Sequence, residues 1–115
     1  MKKGFLFLLL VFSASLFAQP TMNYTKKEVC QAYGNDLVES MLTDENSTFS
    51  FDEKQVVLTA GNSKTVYVVD SRKVNANHTA FNVHTQNEER FVIEAYADVT
   101  IIYNASDRKK YTIYK

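Results

Sequence analysis

The stretch YTKKEVCQAYGNDLVESML, residues 24–42, decides how the chain is read. Thr25 and Glu28 fit a capping box, the threonine as N-cap and the glutamate three residues on. Tyr24 and Val29 have the spacing of a hydrophobic staple across that cap. Cys30, Tyr33, Gly34, Leu37, Val38 and Met41 then fall at steps of three and four, which places them on one face of a helix. Lys27, Gln31, Asp36 and Glu39 fall largely elsewhere. The spacing predicts an amphipathic helix over 26–42, closed by the polar turn formers TDENS at 43–47. Gly34 on the apolar stripe implies a close approach to another element, at a cost of up to about 1 kcal/mol relative to alanine.

From Thr48 the texture becomes β-branched and aromatic, with short polar breaks. Phe49 and Phe51 alternate with Ser50 and Asp52. QVVLTA (55–60) and KTVYVVDS (64–71) flank a turn at Gly61-Asn62-Ser63. TAFNVHT (79–85) follows the loop VNANH (74–78). QNEE (86–89) turns the chain into RFVIEAYA (90–97), which is joined to VTIIY (99–103) at Ala97-Asp98 either by a tight turn or by a bulge within one bent strand. NASDRKK (104–110) leads to a last strand, YTIY (111–114). Six or seven strands with short connections predict an antiparallel meander. The fold class expected is α+β, mostly β: a strongly curved sheet or partial barrel, packed on or plugged by the N-terminal helix.

Upstream, MKKGFLFLLLVFSASLFA has a short basic start, an unbroken apolar run from Phe5 to Phe12, and a tail of small residues. That is the form of a secretory leader, 1–18, with cleavage expected after Ala18. The apolar run is too short for a membrane span of about 20 residues, so no membrane anchor is expected after cleavage. Residues 19–25 read as a spacer and 26–115 as a single domain. The destination implied is periplasmic or extracellular. Loss of Lys2 and Lys3 takes the formal net charge from 0 to −2. With no basic excess, nucleic acid is not an expected partner. Three glycines and one proline in 115 residues argue against disorder. A single cysteine, Cys30, excludes an intramolecular disulfide, and its place on the helix stripe makes it a small apolar filler of the core.

Catalytic patterns are sparse. His78 and His84 are the only histidines. On one extended segment their even spacing puts them on one face, near Glu88 and Glu94. A small hydrolase using this pair would need both rings and a carboxylate to converge in a cleft. No HExxH, CxxC, G-x-S-x-G or glycine-rich phosphate loop occurs, so no metal, cofactor or catalytic residue is assigned. Asn23, Asn46, Asn77 and Asn104 each begin an Asn-x-Ser/Thr triplet, and these residue types favour turns in their own right.

Seven tyrosines and eight phenylalanines remain to be placed. Tyr67, Tyr96 and Tyr103 fall in strands and are the candidate binding residues, for an unidentified small ligand or a protein. A further expectation is assembly by strand addition, with YTIY as an open edge.

Two resemblances accompany this reading. QVVLTAG (55–61) resembles the Gln-Val-Val-Ala-Gly loop of the cystatin family of cysteine-protease inhibitors, which implies an inhibitory hairpin tip there. Leu58-Thr59 interrupt the motif, the family's glycine near the mature N-terminus is missing, and no Pro-Trp is present. In leader and texture the chain also resembles small exported β-meander proteins of Gram-negative bacteria, a likeness that supplies no site residues.

Overall fold

A computed structural model describes residues 21–33 and 36–115. The leader, residues 19–20 and Gly34 lie outside the described residues. Eight antiparallel strands follow in order: β1 (Met22–Tyr33), β2 (Asp36–Phe51), β3 (Gln55–Ala60), β4 (Ser63–Val74), β5 (His78–His84), β6 (Arg90–Tyr96), β7 (Thr100–Asn104) and β8 (Lys110–Tyr114). Each pairs with the next, and β8 pairs back onto β1, so the sheet closes into an up-and-down barrel.

The expected helix over 26–42 is not formed. Those residues belong to the hairpin of β1 and β2, in which Tyr33 pairs with Asp36 across the two positions between them. TDENS at 43–47 is strand as well. The physical reason lies in two register shifts, one between Tyr24 and Lys26 and one between Val29 and Cys30. Each bulge inserts a residue and flips the in–out alternation. The period of two is thereby broken at just the points where a strand would be recognised, and the surviving apolar spacing imitates a helical stripe.

The later strands lie close to their expected positions. Gly61 opens the two-residue connection between Ala60 and Ser63 at φ 59°, a conformation that costs glycine little. Ala97-Asp98 is a turn, not a bend within one strand, which makes β6 and β7 separate elements. YTIY is not an edge: β8 is hydrogen-bonded to β7 on one side and to β1 on the other.

Among the described residues no helix fills this barrel; its own side chains do. Phe49, Val56 and Ile93 are fully buried, and Tyr24, Phe51, Leu58, Tyr67, Phe81, Val83, Ile102 and Tyr114 join them in one cluster. The rings interlock. Phe49 stacks on Phe51 at 5.8 Å and meets the edges of Tyr24 at 5.9 Å and Tyr114 at 4.9 Å, while Phe51 stacks on Phe81 at 5.4 Å. An eight-stranded barrel has an interior just wide enough for such filling, or for one small ligand. Cys30 is buried, but on the outer wall: it shares the outward face of β1 with Glu28, whose carboxylate lies 3.7 Å from its sulfur. It is therefore not part of the barrel's interior.

Candidate functional site

The strand directions divide the connections between two ends of the barrel. One end carries the β2–β3, β4–β5 and β6–β7 turns with Met22 and Lys115; the other carries the remaining turns. The first end, the upper mouth, is open and encloses about 980 Å³. Its depth is closed by the aromatic cluster, with Phe51 and Phe81 at the boundary. Above them the wall is formed by Met22, Val74, Thr79 and Ala95. Val74 is 56 % exposed although it sits on a strand, because β4 continues above the start of β3, where Gln55 pairs with Val68.

Arg72 also lines this mouth. Across β4 the alternation places Tyr67 and Val69 inward. A register shift between Val69 and Ser71 then turns Arg72 and Val74 inward, paired with Phe81 and Thr79, and turns Ser71 and Lys73 outward. Asp98 and Lys115 complete the charged lining. The Lys115 ammonium lies 3.1 Å from the Glu28 carboxylate, so its charge is met on the outer wall.

At the bottom of the mouth the hydroxyls of Tyr24 and Thr100 are hydrogen-bonded at 2.8 Å, both buried. Burial raises the Tyr24 phenol above its ordinary value; the Thr100 hydrogen bond works against this, and the nearby Asp98 charge adds to it. On the rim, the ring of Tyr96 stacks on His78 at 4.6 Å. His78 Nδ1 contacts Asn77 Oδ1 at 2.8 Å and its Nε2 contacts the Asn75 side-chain amide at 3.2 Å.

The three candidate tyrosines do not share one face. Tyr67 points inward, is buried, and packs edge-on against Phe91 at 5.8 Å. Tyr96 and Tyr103 point outward and converge on one carboxylate. Both hydroxyls donate to Glu94, at 3.0 and 2.8 Å. Burial, with Glu94 beside it, pushes the Tyr103 phenol up to about 12. Tyr96 borders the upper mouth, whereas Tyr67 and Tyr103 border a smaller depression of about 350 Å³ at the opposite end.

The two histidines stay apart. Both lie on the outer face of β5, but six residues of extended chain separate them by about 20 Å. His84 contacts Asp70 at 2.8 Å, and His78 is held by the asparagines of the β4–β5 turn. Among the described residues no three His, Cys, Asp or Glu side chains form a group that could hold a metal. Val56 and Val57 lie within β3, between β2 and β4, so QVVLT forms no hairpin tip of the cystatin kind.

Sequence reasoning missed Arg72 as a site residue. Its signal was faint: only the bulge after Val69 turns it inward, and nothing local to DSRKV announces that bulge. No family model, curated protein or solved structure matches the chain.

Proposed function

We propose that this barrel is an exported, non-catalytic binding module that holds one small amphipathic molecule in its upper mouth. The observation that carries the reading is the mouth itself: about 980 Å³ walled by Met22, Phe51, Val74, Phe81 and Ala95 in a barrel otherwise filled by side chains. Small-ligand sites are concave and mostly apolar, with a few placed polar groups, and run to roughly 300–1,000 Å³. Of the three candidate tyrosines only Tyr96, stacked on His78, borders this mouth, which supports it as the one that contacts such a ligand. The leader at 1–18 supplies the export reading, and N-terminal sequencing of the protein recovered outside the cytoplasm tests it.

Binding is tested with the neutral fluorescent probe N-phenylnaphthylamine. Saturable enhancement is expected, and it should be lost in Ala95→Trp, which fills the mouth. Absence of enhancement, or equal enhancement in that variant, would remove the proposal.

A second reading, protein binding by strand addition, is favoured by the outer edge of β2. The segment 36–46 runs along β1, with pairs from Asp36 to Asp44, but lies beyond the β3 pairing, which begins at Ser47. Val38, Met41 and Leu42 are about half exposed there, at 50, 58 and 46 %. The segment holds Asp36, Glu39, Asp44 and Glu45 and no basic residue, so an extended basic peptide is the matching partner. Titration with alternating lysine–valine peptides, and with versions N-methylated along one edge, tests it; equal affinity for both would count against strand pairing.

A further inference from the structure

We infer that the ligand of the upper mouth carries a carboxylate, and that Arg72 is the residue that selects it. This rests on the ligand reading above and narrows its chemistry. The β4 bulge is the starting point. Unbroken alternation from Val69 would aim Ser71 and Lys73 at the barrel axis and Arg72 at solvent. The register shift reverses this, so that Arg72 pairs with the inward-facing Phe81 and lines the mouth. Bulges commonly re-aim a side chain in this way at functional sites.

The surroundings give that cation a use. Phe81, the register partner of Arg72, is buried and stacked on Phe51 at 5.4 Å, so the mouth that Arg72 lines has an aromatic floor, with Val74 one step further out on β4. Arg72 also makes a contact within the chain. Its planar fork has five donors, enough to serve that contact and both oxygens of a carboxylate. Charge-assisted, bidentate pairing of this kind is the strong form of the hydrogen bond.

The other charged groups of the mouth orient the ligand. Lys115 is engaged by Glu28 on the outer wall, and Arg72 is the cation of the lining that stands on β4. Asp98 stands on the β6–β7 turn and repels an anionic head from that side. Its charge is already felt by the Tyr24 phenol, which it helps to raise. His78, also in the lining, is tied to Asn75 and Asn77, and the Tyr96 hydroxyl donates to Glu94. The arrangement therefore places the carboxylate on the β4 side and the apolar chain over Phe51, Met22 and Ala95.

The test is displacement of N-phenylnaphthylamine from the purified protein at neutral pH by decanoate and by decanol. These share a chain and differ in the head. Decanoate should bind about tenfold more tightly, the scale expected of a charge-assisted hydrogen bond open to water. Arg72→Gln should bring decanoate down to the affinity that the same variant shows for decanol, and Lys73→Gln, altered on the outward face of the same strand, should keep the preference. Equal affinities in the wild type, or a preference that survives Arg72→Gln, would overturn the inference and leave the ligand reading standing. Failure of the probe itself to bind would remove both.

Discussion

The hydroxyl of Tyr24 lies 2.8 Å from the hydroxyl of Thr100, joining the first strand to the seventh inside the barrel across 76 residues of chain. Neither group reaches bulk water, as both residues are buried. Tyr24→Phe leaves the threonine hydroxyl without this partner, and Thr100→Val does the same to the phenol. Each single change is expected to cost about 1–3 kcal/mol, the desolvation of a polar group stranded in an apolar setting. The double variant should cost clearly less than the two singles together. Urea unfolding of the four proteins measures this, and strict additivity would show that the pair is not coupled.

Phe49 is the centre of the aromatic cluster. It is fully buried and touches the rings of Tyr24, Phe51 and Tyr114. Phe49→Ala should destabilise by about 3–5 kcal/mol, combining lost transfer energy with the cavity left behind. Phe49→Leu, which retains most of the volume, should cost substantially less. Denaturant midpoints at unchanged slope would check both values.

The tyrosines make stability sensitive to alkali. In the folded state Tyr103 is pushed up to about 12 by burial and by Glu94, and Tyr24, Tyr67, Tyr96 and Tyr114 are raised as well, burial being the first cause for each. A raised phenol means that the fold favours the neutral form. Its contribution is complete below the ordinary tyrosine value near 10 and is lost as pH rises towards the folded value. Stability should therefore fall between about pH 10 and 12. Glu94→Gln removes the charge next to Tyr96 and Tyr103, so both should ionise at lower pH than in the wild type, though burial will hold them above the ordinary value. Tyrosinate absorbance followed through a pH titration is the readout; an unshifted curve would show that Glu94 does not act on them.

Cys30 is 4 % exposed on the outer wall, where β1 is hydrogen-bonded to both β2 and β8. A maleimide should label the native protein slowly and the urea-unfolded protein at once. Rapid native labelling would show that the β1–β8 seam opens readily, since access requires local separation of the wall.

Much of the fold was legible along the chain. The strands from Phe49 to Tyr114 announce themselves because in–out alternation and turn chemistry are local properties. Phe81 and Val83 alternate with Asn82, and Gly61-Asn62 marks its own turn. The first third resisted because Cys30, Tyr33, Leu37, Val38 and Met41 satisfy a helical spacing, and two bulges erase the strand period that would compete with it. A capping-box pattern at Thr25–Glu28 strengthened the wrong choice, since capping residues stabilise a helix end only where a helix exists.

The candidate site divides in the same way. That this protein would be rich in antiparallel strands and strand-borne tyrosines was determined by residue type and spacing alone, because each strand and turn depends on neighbours a few positions away. That β8 would close onto β1, that Tyr96 and Tyr103 would meet at Glu94, and that Arg72 would turn into the mouth were decided only by tertiary structure. Each depends on register between distant strands: Lys27–Gln31 must find Lys110–Tyr114, and one extra residue after Val69 reverses which side chains face the axis. A register that a single inserted residue can invert is a property of the paired sheet, and no local stretch of sequence contains it.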